Sequence, residues 1–263
     1  MKCALKLVLL YGGLYSIYGE ILTCDFQDIN FQRNYGSYYT CIVTGLENPF
    51  NNKTIDGYKG DHEANRTNED VKFIYSYWTD VDYIPAEMGL LYQITGLFMQ
   101  FSELKEIEPS SFEGMEELEI LDLSSNRLTT LPADCFEDLH KLRIVAFTYN
   151  QLEGLPADLF MMNTKLESID FVGNYITYIA PDLFDFLPKV TFITFHLNFC
   201  LNKIYNGTTA IAQIKHDISV NCYVPTTTGS NPITTSGTVL SKPKFPMQEL
   251  IIIVILCIIM LLA

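Results

Sequence analysis

The chain has 263 residues and carries 17 Lys and Arg against 31 Asp and Glu, which gives a formal net charge of −14. Because a nucleic-acid-binding surface needs clustered basic side chains to neutralise phosphates, this balance argues against DNA or RNA as a partner. The acidic excess is more simply explained as a means of keeping the protein soluble.

The N-terminal segment has the layout of a secretory signal peptide. Lys2 and Lys6 give it a basic start, residues 7–17 form an apolar run, and Gly19 is a small residue suited to cleavage. The alternative is an N-terminal membrane helix, but the run is shorter than the roughly 20 apolar residues that a spanning helix needs. We therefore predict that residues 1–19 are a cleaved signal peptide.

Residues 20–70 differ from the region that follows. They are rich in Tyr, Asn and Gly, show no internal repeat, and contain Cys24 and Cys41. Because a stacked repeat array exposes its apolar interior at both ends, such an array needs a terminal cap. We predict that residues 20–70 form an N-terminal cap with β character.

A 24-residue period organises the middle of the chain. The apolar residues that start the successive units are Ile94, Leu118, Leu142, Leu166 and Val190. Further apolar residues recur three, five and ten places after each start, and Phe recurs eighteen places after the first four starts, at Phe112, Phe136, Phe160 and Phe184. The position eight places after each start holds Ser102, Asn126, Asn150, Asn174 and Asn198. Aligned columns at a fixed period are typical of a solenoid.

Each column has a physical role in such a solenoid. Alternation of apolar and outward-facing residues is the pattern of a short strand. The Asn lies where the chain turns away from that strand, so its amide can donate to and accept from backbone groups that the turn leaves unpaired. The Phe column fills the space between coils, since no coil can bury its own apolar face.

The pattern LxxLxLxxNxLxxLPxxxFxxL resembles the 24-residue type of extracellular leucine-rich repeat, found in Toll-class receptor ectodomains, matrix proteoglycans and insect surface adhesion proteins. The resemblance implies an α/β solenoid shaped as a horseshoe, with short parallel strands on the concave face, irregular or 3-10 loops on the convex face and disulfide-bearing caps at both ends. We assign residues 71–198 to the repeats, with a degenerate first coil. Because Asn163 interrupts one apolar column, we expect Met162 to take its place there.

The two flanks of the repeats resemble those of known extracellular repeat proteins. The layout Cys24-x-Phe26, Tyr39-x-Cys41, Gly60 and His62 is similar to the lead-in of secreted insect leucine-rich repeat proteins. Residues 199–224 contain Ile204, Ile211, Ile214 and Ile218 at helical spacing, which predicts a helix-containing C-terminal cap.

Five cysteines remain once Cys3 is assigned to the signal peptide and Cys257 to the C-terminal tail. Spacing alone does not prove connectivity. The first two and the last two of the five bracket the repeats, so Cys24–Cys41 and Cys200–Cys222 are the simplest pairs. Cys135 then stays unpaired, as an inert thiol by default or alternatively as a reactive or intermolecular cysteine.

Three Asn-x-Thr acceptor sequences, at Asn52, Asn65 and Asn206, predict N-glycosylation of an exported protein. Residues 225–249 contain many Thr, Ser and Pro, a composition that favours an O-glycosylated stalk over a packed core.

The last residues, 250–263, form an apolar run. As a helix this run would extend about 21 Å, short of the roughly 30 Å of a hydrocarbon core. Small residues, a polar spacer and a short apolar tail are the signal for a glycolipid (GPI) anchor, so we predict attachment at Ser236, with Gly229-Ser230-Asn231 as a second candidate. The alternative is a tail helix retained in the bilayer.

No motif indicates an enzyme or a cofactor site. The sequence has no GxSxG, HExxH or CxxC and no phosphate-binding Gly loop. An acidic run at Asp134, Glu137 and Asp138 suits a solvated loop better than a calcium site. We therefore predict a non-enzymatic protein without cofactor or metal.

The outward-facing columns of the strands predict a binding surface on the concave face. Its expected apolar anchors are Phe98, Ile120, Ile144, Tyr149 and Phe192, with Asp122 and Asp170 setting specificity. A cluster of exposed aromatic and aliphatic side chains is typical of an interaction patch. The alternative is that caps or glycans cover this face, or that it is unused.

Together these features predict an extracellular recognition or adhesion module that binds a protein, or alternatively a glycan, and is tethered to the outer surface of a membrane. The alternative is a secreted, soluble immune or matrix protein that retains no anchor.

Overall fold

A computed structural model describes most of the region between the two predicted terminal segments. The residues it describes are 20–31, 36–47, 55–63, 65–77, 81–85, 88 and 93–222. All of them lie in the first of the two units of the chain, Met1–Pro225 and Thr226–Ala263. The predicted signal peptide (1–19), stalk (225–249) and C-terminal apolar run (250–263) lie outside the described residues, as do Asn52 and Ser236.

The first three strands in the described part of the chain are not repeat units. Strands β1 (Glu20–Phe31) and β2 (Gly36–Glu47) pair antiparallel, and β3 (Ile55–Lys59) pairs parallel with β1. The disulfide Cys24–Cys41 joins β1 to β2, which confirms that predicted pair. This segment therefore has the β character predicted for it.

The strands of the repeats follow, with one main strand in each coil and a further short strand in the return of two coils. They are β4 (Phe73–Tyr77), β5 (Gly96–Gln100), β6 (Ile120–Asp122) and β7 (Ile144–Ala146), then β8 (Gly154–Leu155), β9 (Ser168–Asp170), β10 (Tyr178–Ile179) and β11 (Phe192–Thr194). Strands β4, β5, β6, β7, β9 and β11 pair in parallel, and β2 pairs parallel with β4. The N-terminal strands thus continue the sheet of the repeats.

Register in this sheet follows the sequence period. Leu97, Leu121, Val145, Ile169 and Ile193 are aligned across neighbouring strands. All five are completely buried, because alternate residues of a strand point to the same face. The parallel-strand solenoid predicted from the 24-residue columns is confirmed.

The returns between the strands contain little regular structure. A 3-10 helix spans Pro109–Phe112 in one coil, and β8 and β10 pair as a small parallel sheet of their own. Among the described residues, the α-helical part of the solenoid is confined to the C-terminal end.

The C-terminal end closes the array with a strand and a helix. Strand β12 (Ile204–Asn206) pairs antiparallel with β11, and helix α1 (Ala210–Asn221) buries Ile214 and Ile218. The disulfide Cys200–Cys222 ties the helix end to the last coil, as predicted. Ile204 lies on β12 and is exposed, so it is not part of the helix. No helix in the described part of the chain is long and apolar enough to span a bilayer.

Two columns of phenylalanine fill the interior between coils. One column comes from the strands, with ring centroids 5.5 Å apart for Phe147 and Phe171 and 5.3 Å apart for Phe171 and Phe195. The other comes from the returns, where Phe136 and Phe160 stack at 5.9 Å. All five rings are completely buried, so each coil depends on its neighbours for the burial of its apolar surface.

The Asn column links successive coils through hydrogen bonds. Asn150 Nδ2 donates to the carbonyl oxygen of Leu123 at 2.9 Å, and Asn150 Oδ1 accepts from Leu128 N at 3.1 Å. Asn126, Asn174 and Asn198 repeat this arrangement, and the N–H of Ser102 donates to Asn126 at 2.9 Å. Each amide therefore satisfies backbone groups that the turn leaves unpaired in the preceding coil.

The prediction that Met162 replaces Asn163 in the apolar column is wrong. Met162 is 45% exposed, whereas Asn163 itself occupies the buried position of the column. Asn163 Nδ2 donates to the carbonyl oxygens of Phe136 at 2.9 Å and Leu139 at 3.0 Å, while its Oδ1 has no partner among the described residues. Two hydrogen bonds thus compensate for the burial of a polar side chain where other coils place Met115, Leu139 and Leu187.

Candidate interaction face

The face of the ten-stranded sheet that points away from the buried core is called the concave face below. Six of the seven predicted binding residues lie on its strands: Phe98, Ile120, Asp122, Ile144, Asp170 and Phe192. The seventh, Tyr149, follows β7 by three residues. The structure therefore places the six strand residues on one side of the sheet, in the register that the period predicts.

An aromatic cluster occupies the N-terminal half of the concave face; its members are Tyr38, Phe73, Tyr75, Tyr77, Phe98 and Phe101. Phe73 lies 4.3 Å from Tyr38 and 5.4 Å from Phe98, measured between ring centroids. Tyr75 lies 6.2 Å from both Tyr77 and Phe98. These separations fall in the range of stabilising aromatic pairs. The cluster is separate from the solenoid core.

Gly96 leaves the space that the ring of Phe73, at the centre of the aromatic cluster, occupies. Phe73 and Gly96 are paired across β4 and β5, and a Cβ atom on Gly96 would lie 2.8 Å from the ring of Phe73. Because real Cβ atoms do not approach carbon that closely, only glycine lets this ring lie flat on the sheet.

The prediction that Phe98 and Ile120 are exposed anchors is wrong. Both side chains are only 8% exposed, because they pack with Phe73 and with the half-buried Tyr38, Tyr75 and Ile144. Phe98 and Ile120 therefore pack beneath the accessible side chains of this face. Among the apolar side chains of the strands on this face, the half-buried Tyr75 and Ile144 and the 38% exposed Phe192 remain accessible to a partner.

Sequence reasoning missed most of the aromatic cluster. Phe73, Tyr75 and Tyr77 are two, four and six residues after Val71, which are the outward-facing offsets of the later coils. The signal was thus present. It was difficult to recognise for two reasons. This coil is one residue shorter than the others, as the pairing of Ile74 with Leu97 shows, and it has Ser76 where later coils have an apolar residue.

Another feature that the sequence analysis missed is a column of left-handed residues just before the Asn column. Residues at this position have φ between 53° and 69°: Phe101, Ser125, Tyr149, Gly173 and Leu197. The N–H groups of the first four donate to a carbonyl oxygen of the following coil at 2.7–3.3 Å. For residues other than glycine this conformation costs roughly 1–2 kcal/mol, so the turn is held in place by bonds between coils.

Tyr149 extends along the face over the next coil. A Cβ atom on Gly173 would lie 2.4 Å from Cδ1 of the Tyr149 ring, so the ring occupies the space that a side chain at position 173 would need. The predicted anchor is thus held against the backbone of the neighbouring coil, and Tyr149 is half-buried.

The two predicted specificity residues are half-buried carboxylates. Asp122 Oδ2 accepts from Gln100 Nε2 at 2.6 Å, and Asp122 Oδ1 accepts from Ser124 N at 2.9 Å. Asp170 Oδ1 accepts from Val172 N at 2.9 Å. Burial raises the pKa of both carboxyl groups above the ordinary value, and these hydrogen bonds only partly offset the effect.

Basic side chains near this face are already paired. Arg143 Nη1 donates to Glu119 at 3.1 Å, and Arg143 Nε donates to Glu167 at 3.0 Å, so one guanidinium links three coils. These pairs lower the pKa of Glu167. In the part of the chain that the structure describes, neither Asp122 nor Asp170 forms an ion pair.

The C-terminal end of the face is more open. Phe192, Leu197 and Ile204 are exposed there, and Asn206 lies opposite Phe192 on β12. His196 Nδ1 and Asn202 Oδ1 are 3.2 Å apart, so this histidine has a polar neighbour in the last turn. The acceptor asparagines Asn65 and Asn206 are both exposed.

In the described part of the chain, the other reactive groups do not form a site. Cys135 is buried and has no disulfide partner, and burial raises the pKa of its thiol far above the ordinary value. A thiol in that state is a poor nucleophile. The described residues contain no group of three or more His, Cys, Asp or Glu side chains that could hold a metal ion.

The repeat columns, the parallel sheet and the Asn bonds between coils all belong to one repeat architecture. Residues 93–152 match the family model for the leucine rich repeat. The match supports a leucine-rich repeat family, and the strands β5, β6 and β7 lie within the matched region. A comparison with curated proteins finds no match to this chain. Leucine-rich repeat domains commonly mediate protein–protein interaction.

Proposed function

We propose that this leucine-rich repeat protein is a non-enzymatic recognition module of the cell exterior, which binds a protein partner through its concave face and is tethered to the outer surface of a membrane. The observation that carries the proposal is the set of apolar side chains left accessible on this face: Tyr75 and Ile144, which pack on the buried rings of the aromatic cluster, and the exposed Phe192. Apolar side chains on an open protein surface mark interaction sites.

The covalent chemistry of the chain supports a location outside the cell. Cys24–Cys41 and Cys200–Cys222 are disulfides, and disulfides persist in oxidising compartments. The acceptor residues Asn65 and Asn206 are exposed, as the attachment of a bulky glycan requires. These features agree with the signal peptide predicted for residues 1–19.

Binding through the concave face is tested by two serine substitutions and a matched control. Ile144→Ser and Phe192→Ser each remove an apolar side chain from the face, whereas Met162→Ser removes one that is more accessible than either but lies in a return between strands. Each concave substitution is expected to weaken binding by about tenfold, the effect of losing roughly 1.4 kcal/mol of contact energy. The control is expected to bind like the wild type.

The measurement is a screen of the exported protein against a library of cell-surface ectodomains, followed by titration of the partner that it identifies. Secretion levels and melting temperatures of all variants are compared, so that a loss of fold is not mistaken for a loss of binding. A partner that binds both concave variants as tightly as the wild type would place the site elsewhere on the molecule.

Tethering is proposed from the Thr-, Ser- and Pro-rich stalk and the apolar run of residues 250–263. With a glycolipid at Ser236, phosphatidylinositol-specific phospholipase is expected to release the protein from intact cells. Retention on treated cells indicates a tail helix instead, whereas protein found in the medium without treatment indicates the soluble alternative.

A further inference from the structure

The carboxylate of Asp122 lies beside the aromatic cluster and has no positive counter-charge among the residues that the structure describes. Asp122 is paired with Phe98 across β5 and β6, and Phe98 is paired with Tyr75 across β4 and β5. The hydrogen-bond donors to Asp122 are the side-chain amide of Gln100 and the backbone N–H and side chain of Ser124, all of them neutral. A half-buried carboxylate with neutral donors alone is only partly compensated for its lost hydration.

A second carboxylate follows in the same column. Ala146 separates Asp122 from Asp170, so the two acids are two strand spacings apart, or about 10 Å. Ala146, which lies between them, has only a small side chain, so no bulky residue separates the two carboxylates. The nearby guanidinium of Arg143 is shared by Glu119 and Glu167, and the net charge of the chain is −14. The face is therefore complementary to a partner that brings positive charge.

An aromatic ring next to a carboxylate is suited to binding a positively charged side chain. The ring attracts a cation over its face, and the carboxylate pairs with the same cation at its edge. Arginine satisfies both because its guanidinium is planar and weakly hydrated. The N-terminal segment contains this arrangement: Arg66 lies 4.3 Å from the centroid of the Tyr39 ring and donates to both oxygens of Asp28 at 2.9 and 2.8 Å.

We propose that the partner of the concave face is a protein segment with two arginines, one of which packs against Tyr75 and pairs with Asp122 while the other pairs with Asp170. This inference rests on the proposed function, because it specifies the chemistry of the partner at the same face. It excludes a neutral glycan as the main ligand, since a neutral glycan would not compensate either carboxylate.

The test uses the intact protein and two peptides that differ only in charge. The probe is acetyl-Gly-Arg-Gly-Arg-Gly-amide, and its matched control has citrulline in place of each arginine, which keeps the shape but removes the charge. We expect the arginine peptide to bind about five to ten times more tightly than the citrulline peptide, as measured by NMR titration. Asp122→Asn is expected to abolish most of that difference.

The control variant is Asp182→Asn, which removes one negative charge from an exposed position in a return between strands. It is expected to leave the preference for arginine unchanged. Equal affinity for the two peptides would overturn the inference, and so would an equal effect of the two substitutions, which would indicate general attraction to an acidic protein.

Asp122→Asn is not expected to unfold the protein. Because the pKa of Asp122 is raised in the folded state, its negative charge opposes folding at neutral pH; this penalty shrinks as the pH falls through the raised folded-state pKa and is gone below the unfolded-state pKa. The variant should therefore be at least as stable as the wild type at pH 7. A partner that is sensitive to Ile144→Ser but not to Asp122→Asn would contradict this inference alone, whereas insensitivity to both would contradict the proposed function.

Discussion

Replacement of Asn174 by alanine is expected to lower the free energy of unfolding by about 3–5 kcal/mol, because it leaves buried backbone groups of two coils without partners. Asn174 Nδ2 donates to the carbonyl oxygens of Phe147 at 2.9 Å and Phe171 at 3.0 Å, and Asn174 Oδ1 accepts from Leu152 N at 3.1 Å. An N–H group has a single hydrogen to donate, so Leu152 N loses its acceptor. The loss is measured by urea denaturation and by the exchange rate of the Leu152 amide.

Asn163 provides the matched control, since it is also a completely buried asparagine that bridges coils. In Asn163→Leu, the carbonyl oxygens of Phe136 and Leu139 keep their backbone bonds from the amides of Leu139 and Leu142. No donor is left unpaired, and the unpartnered Oδ1 is removed from the interior. This variant is expected to stay within about 1 kcal/mol of the wild type. Equal losses in the two variants would show that the Asn column does not act through the Leu152 amide.

The solenoid could be predicted from the sequence because its period is a direct consequence of its packing. Each coil must present the same apolar positions to the next, so columns such as Leu121, Val145 and Ile169 repeat without a gap. The two disulfides were also predictable, because the four cysteines bracket the repeats in pairs. Regular spacing carries fold information even when the residue at any one position varies.

The position of the concave face could be predicted from the sequence, but the exposure of its individual side chains could not. The alternation of a strand identifies which side chains leave the core, and so Ile120 and Phe98 were placed on the correct face. Exposure depends on the neighbours across the sheet. Here the neighbours belong to a coil of irregular length, whose Phe73 and Tyr75 cover residues that the repeat pattern alone leaves open.

Local exceptions within the columns were the least predictable features. Asn163 is buried because two carbonyl oxygens are within reach of its amide, a fact that depends on loop geometry rather than on spacing. The left-handed backbone at Phe101 and Tyr149 was also hard to predict, because residues with large side chains rarely adopt this conformation. Bonds between coils impose this conformation, and a single-coil pattern does not contain that information.

The second large effect is expected for Phe171→Ala. Phe171 is completely buried, and its ring lies within 5.3–6.4 Å of the rings of Phe147, Phe160 and Phe195. Removal of the ring leaves a cavity where three coils meet, which is expected to cost about 3–5 kcal/mol. Urea denaturation measures the total loss.

Phe171→Leu separates the loss of volume from the loss of an apolar residue. Leu123 occupies the same column in an earlier coil and is completely buried, so the interior accommodates leucine at this position. The loss for Phe171→Leu is expected to be about 1–1.5 kcal/mol, because most of the cavity stays filled. Since each coil is stabilised by its neighbours, amide exchange in Phe171→Ala should accelerate first in β9 and β11 and last in β5. Uniform acceleration along the sheet would mean that the solenoid unfolds as one unit rather than coil by coil.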